Sequence, residues 1–152
     1  MIRPDRIGHV VLKVREIERS LKFYTEIMGF KLMRRQDNLA FLSSGRDHHE
    51  IAIMEIGMDA PDAKKEAVGL FHVAYRLRDE DHLRAAYKFL KKSGVPILGM
   101  TNHGVTKSIY INDPDGNPLE VYCDRVPELW QRPQQAVPLD IEAEERAAVL
   151  AK

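Results

Sequence analysis

Two stretches of this chain decide its fold: IGHVVLKVREIERSLKFYTEIMGFKLM at residues 7–33 and LFHVAYRLRDEDHLRAAYKFLKKSGVPIL at residues 70–98. Both open on a His-Val pair, continue with alternating apolar residues, and reach an Arg followed by an acidic residue. Each then carries apolar residues at helical spacing and ends at a glycine, Gly29 or Gly94, which favours a helix stop. An internal repeat of this kind predicts two similar half-modules.

Three β-like segments follow each predicted helix. FKLMRR, LAFLSS and EIAIME come after the first helix, and PILGM, TKSIYIN and PLEVYC come after the second. The sequence therefore predicts an α+β fold in which two tandem βαβββ modules form a curled mixed sheet, shaped as a cup, with the helices outside. We place these modules at about residues 6–57 and 68–124 of a single domain spanning 1–126.

The segment from residue 127 onward differs in composition. PELWQRPQQAVP carries three prolines and cannot continue a sheet. DIEAEERAAVLAK then predicts a terminal helix with Asp140 as its N-cap. We expect residues 127–152 to form a C-terminal arm and helix.

Composition argues against several classes of function. The chain has 23 basic and 23 acidic residues, so a net charge of zero gives no footprint for nucleic acid or an anionic membrane. No apolar run approaches the roughly 20 residues that span a bilayer. The start, MIRPDRIGHVV, lacks the pattern of a secretory signal, and a single cysteine, Cys123, allows no intramolecular disulfide. We expect a cytoplasmic protein with no membrane or nucleic-acid partner.

Strand parity places three candidate metal ligands on one face. Because alternate residues of a strand face opposite sides, the apolar residues beside them take the helix side and leave His9, His72 and Glu120 on the other. Two imidazoles and one carboxylate, if brought together, form the facial triad that holds Fe(II), with Mn(II) as the alternative. Ala52 falls where Glu120 falls in the repeat, so a fourth protein ligand is missing and coordination positions stay open.

Other residues receive simpler interpretations from the same parity. Tyr122 and Arg76 share the face of the candidate ligands and could shape a pocket, whereas Phe71 is predicted on the helix side of its strand. Cys123 is expected to be a buried small hydrophobic residue. His82 is expected on the solvent face of the second helix.

The segments GHVVLKV, RSLKFYTEIMGF, FHVAYRL and DPDGNPLEVY resemble the vicinal oxygen chelate superfamily. That superfamily includes glyoxalase I, fosfomycin-resistance proteins, bleomycin-binding proteins and extradiol dioxygenases, and the resemblance covers about residues 6–124. DPDGN is common across the superfamily and does not choose among its members. A turn rich in Asp, Gly and Asn also has a plain structural interpretation.

The stretch HGVTKSIYINDPDGNPLEVYC, residues 103–123, resembles the catalytic half of catechol 2,3-dioxygenases. The resemblance implies that the three candidate ligands bind Fe(II) and that O₂ is a co-substrate. It also implies that His49 acts as acid–base, and that His103 and Tyr110 form hydrogen bonds with the substrate and intermediates. His48 is the alternative to His49, with solvent exposure as its expected state.

The chain departs from those dioxygenases in three ways. They typically have two such double modules and this chain has one, so it would resemble the one-domain members. The stretch between His103 and Tyr110 is also about two residues shorter. In addition, His49 and Ala52 cannot share a face in an uninterrupted strand, so either His49 precedes the strand or a bulge intervenes.

The leading hypothesis is an Fe(II)-dependent extradiol ring-cleavage dioxygenase, an oxidoreductase of aromatic catabolism that acts on a catechol-type aromatic with O₂. One alternative is a glyoxalase-like metal-dependent isomerase, lyase or thiol transferase, which commonly has a fourth ligand where Ala52 stands. The other is a non-catalytic protein that binds an aromatic ligand, and such members tend to lack the metal ligands. We expect a small aromatic diol as substrate and a homodimer, because single module pairs in this superfamily often associate.

Overall fold

The computed structural model describes residues 1–64, 66–125, 131 and 135–150. The described residues form two compact units, Met1–Val68 with Asp113–Asn117, and Gly69–Asn112 with Pro118–Lys152. The elements in chain order are β1 Val10–Val14, α1 Ile17–Lys22, a π-helical segment Phe23–Ile27, β2 Lys31–Gln36, β3 Leu39–Ser43, β4 Ile51–Glu55, β5 Val73–Arg76, α2 Glu80–Lys92, β6 Gly99–Asn102, β7 Thr106–Asn112, β8 Pro118–Asp124, β9 Val137–Pro138 and α3 Ile141–Leu150.

The first unit contains a four-stranded mixed sheet in the order β1-β4-β3-β2. β1 pairs with β4 in parallel, and the other two pairs are antiparallel. Leu12 and Val14 of β1 are buried while Lys13 between them is exposed, which is the alternation expected of a half-buried strand. α1 contacts β3 and β4 and buries Ile17 and Leu21, four residues apart and therefore on one helical face.

The glycine stops predicted for the helices of the two modules are confirmed. The Phe30 N–H donates to the carbonyl of Tyr24 at 2.9 Å as the π-helical segment ends, and Gly29 follows that segment with φ 75°. Gly94 follows α2 with φ 70°. Glycine takes this left-handed conformation without a Cβ penalty, so each helix ends at the residue that the sequence indicates.

The second unit contains a five-stranded mixed sheet in the order β5-β8-β7-β6-β9. β5 pairs with β8 in parallel, and the remaining pairs are antiparallel. α2 begins after Asp79, whose side chain accepts a hydrogen bond from the His82 backbone N–H at 3.0 Å. The helix buries Leu83, Tyr87 and Leu90 at helical spacing, and His82 is exposed as predicted.

The two modules repeat the same strand register. Val11 lies opposite Ala52 in the first sheet, and Ala74 lies opposite Glu120 in the second. Residues 9 and 72 align in the sequence repeat, so these two rungs are equivalent. The predicted α+β fold with two βαβββ modules is confirmed, and Ala52 occupies the rung of Glu120.

One prediction about the fifth strand is wrong. Phe71 was expected on the helix side of a strand starting at its own position, but β5 begins at Val73 and Phe71 is 83% exposed. The parallel ladder with β8 starts at the pair of Val73 and Leu119, so Phe71 precedes the strand and parity does not apply to it.

The DPDGN turn between β7 and β8 is built around the buried carboxylate of Asp113. One oxygen accepts the backbone N–H groups of Asp115 and Asn117, both at 2.9 Å. The other accepts the Tyr24 hydroxyl at 3.0 Å and the Asn117 side-chain amide at 2.8 Å. Asp115 in turn pairs with Arg19 at 2.6 Å. The motif therefore has a structural role, as its turn composition indicates.

The chain ends in the predicted helix. The Asp140 side chain accepts the Ala143 backbone N–H at 2.9 Å, and Leu139 and Ile141 are buried at the start of α3. The prediction that the proline-rich segment cannot continue a sheet is wrong at its end, because β9 pairs with β6 just before the helix, at the edge of the sheet where a proline is tolerated. Residues 127–130, 132–134 and 151–152 of the predicted arm and helix lie outside the described residues. Within the described part of the chain, no helix combines the length and apolar character needed to cross a membrane.

A buried lysine ties α3 to the sheet of the second unit. The Lys107 ammonium of β7, with only 7% of its side chain exposed, contacts Glu80 at 2.9 Å and Glu144 at 2.7 Å. Arg125 also pairs with Glu80 at 2.9 Å. Burial raises the pKa of Glu80, but the hydrogen bonds and charges of Lys107 and Arg125 outweigh it, so the net pKa is below the usual value.

Removal of the Asp113 carboxylate should destabilise the protein. Asp113→Ala removes the carboxylate that accepts the turn amides and the Tyr24 hydroxyl, and we expect a loss of about 3 kcal/mol in the free energy of unfolding. Urea denaturation followed by circular dichroism measures it. Asp62→Ala is the control, because Asp62 pairs with Arg15 at the surface and its side chain is 87% exposed. Equal denaturation midpoints for the two variants would contradict the role given to Asp113.

The Glu80 network should make stability depend on acidity. A carboxyl group whose pKa is lowered by folding stabilises the protein above its unfolded pKa, and that contribution disappears as the pH falls through the folded pKa. We therefore expect Glu80→Gln to be less stable than the unmodified protein at pH 7, with the gap closing as the pH falls below the ordinary glutamate pKa of 4.5. Unfolding free energies measured across this range test it, and a gap that stays constant would be the contrary result.

Candidate active site

Four predicted site residues form a continuous polar chain in the second unit. The His72 Nε2 lies 2.9 Å from Glu120 Oε2, and the Tyr110 hydroxyl donates to Glu120 Oε1 at 3.3 Å. The His103 Nε2 lies 2.9 Å from the same Tyr110 oxygen. Each group in the series imidazole, carboxylate, phenol and second imidazole is thus within hydrogen-bond reach of the next.

The strand register brings these side chains together. β8 lies between β5 and β7, and Glu120 on it is paired with Ala74 on one side and Tyr110 on the other. His72 directly precedes β5, and its imidazole nevertheless reaches the Glu120 carboxylate of the neighbouring strand. His103 follows β6, where Gly104 with φ 81° turns the chain. The shorter stretch between His103 and Tyr110 does not keep their side chains apart.

Burial and charge define the state of the phenol. The Glu120 side chain is only 12% exposed and Tyr110 is half-buried. Burial, followed by the negative charge of Glu120, raises the pKa of Tyr110. The Ser108 hydroxyl opposes this rise, although it does not reach hydrogen-bond geometry. The phenol is therefore protonated at neutral pH and can donate a hydrogen bond.

The first unit holds the other predicted residues. The ring of His49 lies 4.6 Å from the ring of His9 and 5.0 Å from that of Phe41, measured between centroids. β4 begins at Ile51, so His49 precedes the strand, which removes the parity conflict with Ala52. Burial, then the charges of His48 and His9, lowers the pKa of His49.

His48 and His49 differ in their surroundings. His48 is exposed, as expected, and its Nδ1 lies 2.6 Å from Nδ1 of His49. His49 is half-buried between His9 and Phe41. These contacts favour His49 as the acid–base residue, and its role stays a prediction.

Two of the three predicted metal ligands converge. His72 and Glu120 present a nitrogen and an oxygen of the type that a two-histidine, one-carboxylate site uses. His9 belongs to the first unit, and its place in the triad stays a prediction. Among the residues that the structure describes, no three His, Cys, Asp or Glu side chains are grouped as a metal ion requires.

Phe41 was not selected from the sequence, and Ser108 was considered only a weak candidate for shaping the pocket. Phe41 packs edge-on against His49, and Ser108 is a fully buried hydroxyl in β7. The alternation of TKSIYIN could have placed Ser108 on the face of Tyr110, because the two are separated by one residue.

Two further predictions concern residues beside Glu120. Cys123 is buried as predicted, on the opposite face of β8 from Glu120. Arg76, which shares the Glu120 face, pairs with Asp124 at 2.8 Å. The guanidinium of Arg76 is therefore engaged by a carboxylate at the end of β8.

Comparison with known proteins gives the family. The Glyoxalase/Bleomycin resistance protein/Dioxygenase superfamily matches residues 6–121. The chain belongs to this superfamily. A structure of a glyoxylase/bleomycin resistance protein/dioxygenase domain from Frankia sp. EAN1pec matches with a TM-score of 0.68 and 23% identity, covering 81% of this chain and 100% of that one. At that identity the match supports the fold alone.

The chain is similar to curated proteins of two reaction classes. The chain is 33% identical to "Catechol-2,3-dioxygenase" of Bacillus subtilis over 85% of its own length and 45% of that protein. It is 32% identical to "Probable lactoylglutathione lyase" of Vibrio cholerae over 76% of its own length and 88% of that protein. The chain spans between 45% and 65% of the lengths of three dioxygenases that it matches. Identity alone therefore does not separate a dioxygenase from a lyase.

Loss of the Glu120 carboxylate should abolish divalent metal binding. We expect Glu120→Gln to weaken Fe(II) or Co(II) affinity by more than about 100-fold, beyond the effect usual for residues that only orient a ligand. Anaerobic titration calorimetry measures the affinity. Glu145→Gln on α3 is a control with the same chemical change away from these side chains. Unchanged affinity in the Glu120 variant would remove Glu120 from the ligand set.

Proposed function

We propose that this protein is an Fe(II)-dependent extradiol ring-cleavage dioxygenase that acts on a catechol-type aromatic compound with O₂. The hydrogen-bonded series from Glu120 through Tyr110 to His103 is the observation that supports it most directly. It joins a candidate metal ligand to a phenol donor and to an imidazole, which are the groups needed to bind and protonate an aromatic diol.

The metal would be held by His9, His72 and Glu120, with Mn(II) as the alternative ion. When bound, ferrous iron with open coordination positions supplies a place for the diol oxygens and for O₂ side by side. Ala52 supports this assignment, because it occupies the rung of Glu120 in the first module and offers no fourth ligand.

The proposed proton chemistry belongs to the protein side chains. A catechol that binds through both oxygens must lose protons, and a histidine is the side chain suited to accept them near neutral pH. We assign this to His49. Tyr110 and His103 would donate hydrogen bonds to the substrate oxygens and to the negative charge that develops on them.

A lyase of the glyoxalase type is the second candidate. It is supported by coverage, because the chain spans 88% of the length of the Vibrio cholerae relative. The apolar residue at position 52 favours the dioxygenase instead, since a fourth ligand at this rung is the expectation for a glyoxalase-like site. A non-catalytic aromatic-binding protein is the third candidate, and retention of the three predicted ligands argues against it. A homodimer in the cytoplasm remains part of the proposal.

Oxygen consumption tests the proposal directly. The protein, reconstituted anaerobically with Fe(II), should consume one O₂ for each 3-substituted catechol and release a yellow ring-opened product. His103→Gln should lower kcat by about 10²-fold or more, the usual contribution of a general acid–base or hydrogen-bonding group. His82→Gln is the matched control, because His82 lies exposed on α2 and should leave the rate unchanged.

The same preparation separates the candidates. Nickel- or zinc-loaded protein that converts a hemithioacetal without O₂, together with no oxygen uptake on any catechol, would establish the lyase. The absence of stoichiometric metal after iron supplementation would instead support the non-catalytic binding protein.

A further inference from the structure

The hydroxyl of Ser108 is an unexplained polar group in the second sheet. Ser108 lies in β7 and is 0% exposed, and among the residues that the structure describes its Oγ has no hydrogen-bond partner. A buried hydroxyl without a partner is costly, and such groups in native proteins usually have a reason. Ser108 lies on the same face of β7 as Tyr110, and this neighbour suggests the reason.

The Tyr110 phenol lies along β7 in the direction of Ser108. Tyr110 is paired with Glu120, yet its hydroxyl reaches His103, whose backbone N–H donates to Thr106 at 2.9 Å. Thr106 lies four residues before Tyr110, about 13 Å along a strand. The hydrogen bond between Tyr110 and His103 therefore spans the stretch of β7 that contains Ser108.

The repeat provides an internal comparison for this position. In the second sheet Ser108 is paired with Tyr122. In the first sheet the equivalent pair is Leu39 and Met54, both apolar. Strand pairing in this module type therefore does not require a hydroxyl at the position, and an apolar residue would avoid the cost of burying one. The hydroxyl is therefore a feature of the second module that the first module lacks.

We infer that Ser108 is a positioning residue that holds the Tyr110 phenol within reach of His103 and Glu120. Its small side chain leaves room for the phenol to lie along the strand. A small movement of either side chain lets its hydroxyl donate to the phenol oxygen, so that the phenol proton stays directed away from the strand. The role rests on the proposed function, because it concerns the substrate-binding group of that site.

Two variants of equal shape isolate the hydroxyl. Ser108→Thr keeps it and Ser108→Val lacks it, and Ser108→Ala removes it without adding atoms, in case a larger side chain does not fit. The protein has five tyrosines, so labelling with 3-fluorotyrosine gives five ¹⁹F resonances, and Tyr110→Phe identifies one of them. In metal-free protein we expect the Tyr110 resonance to shift in the Ser108→Val and Ser108→Ala variants and to stay near its original position in Ser108→Thr.

Steady-state kinetics provide a second measurement. The Ser108→Val and Ser108→Thr proteins should differ roughly fivefold in kcat with similar KM, the size expected for one neutral hydrogen bond. Ile109→Val is the control for general loosening of the strand, since Ile109 is fully buried on the opposite face of β7 and should leave the Tyr110 resonance in place.

The outcomes distinguish this inference from the proposed function. Equal Tyr110 resonances in Ser108→Thr and Ser108→Val, with Ser108→Ala matching the unmodified protein, would overturn the role of Ser108 even if catechols are cleaved. A shift in Ser108→Val and Ser108→Ala that Ser108→Thr does not show would support the role. It would do so even if no catechol is consumed, in which case only the assigned reaction fails.

Discussion

The carboxylate of Asp113 is the constraint on which the second module depends. Its two oxygens accept two backbone amides of the turn, the Asn117 side chain and the Tyr24 hydroxyl. These bonds determine how many residues separate β7 from β8, and turn geometry determines the register of a hairpin. A slip of one residue would turn Glu120 to the other face of β8. The turn therefore places Tyr110 opposite Glu120. None of the predicted site residues lies in the turn itself.

The sequence predicts most of this architecture because its signals are periodic. The two His-Val repeats, the alternation in TKSIYIN and the glycine stops each reflect a local rule, and local rules suffice for strands, helices and faces. Positions governed by pairing partners are harder to predict. Phe71 belongs to a run that alternates well, yet no strand is available beside it until Val73 meets Leu119. The parity conflict at His49 likewise disappeared only when β4 was found to begin at Ile51.

Side-chain orientation is a second feature that the sequence does not predict. Parity places Ser108 and Tyr110 on one face, but it does not say that the phenol lies along the strand toward His103. Similarly, identity to a dioxygenase and to a lyase is nearly equal, at 33% and 32%. Function in a shared fold is carried by particular side chains, so the polar series around Glu120 is more informative than the match itself.

The two modules carry different residues at equivalent positions of their sheets. On equivalent rungs the second module pairs Tyr110 with Glu120, and the first pairs Phe41 with Ala52. The first pair is apolar, and Phe41 packs its ring edge-on with His49, which keeps that imidazole in a partly desolvated setting. The second pair is a carboxylate with its phenol donor. The proposed three-ligand metal site therefore takes its carboxylate from the second module alone, because the first module offers only an apolar pair at the equivalent rung.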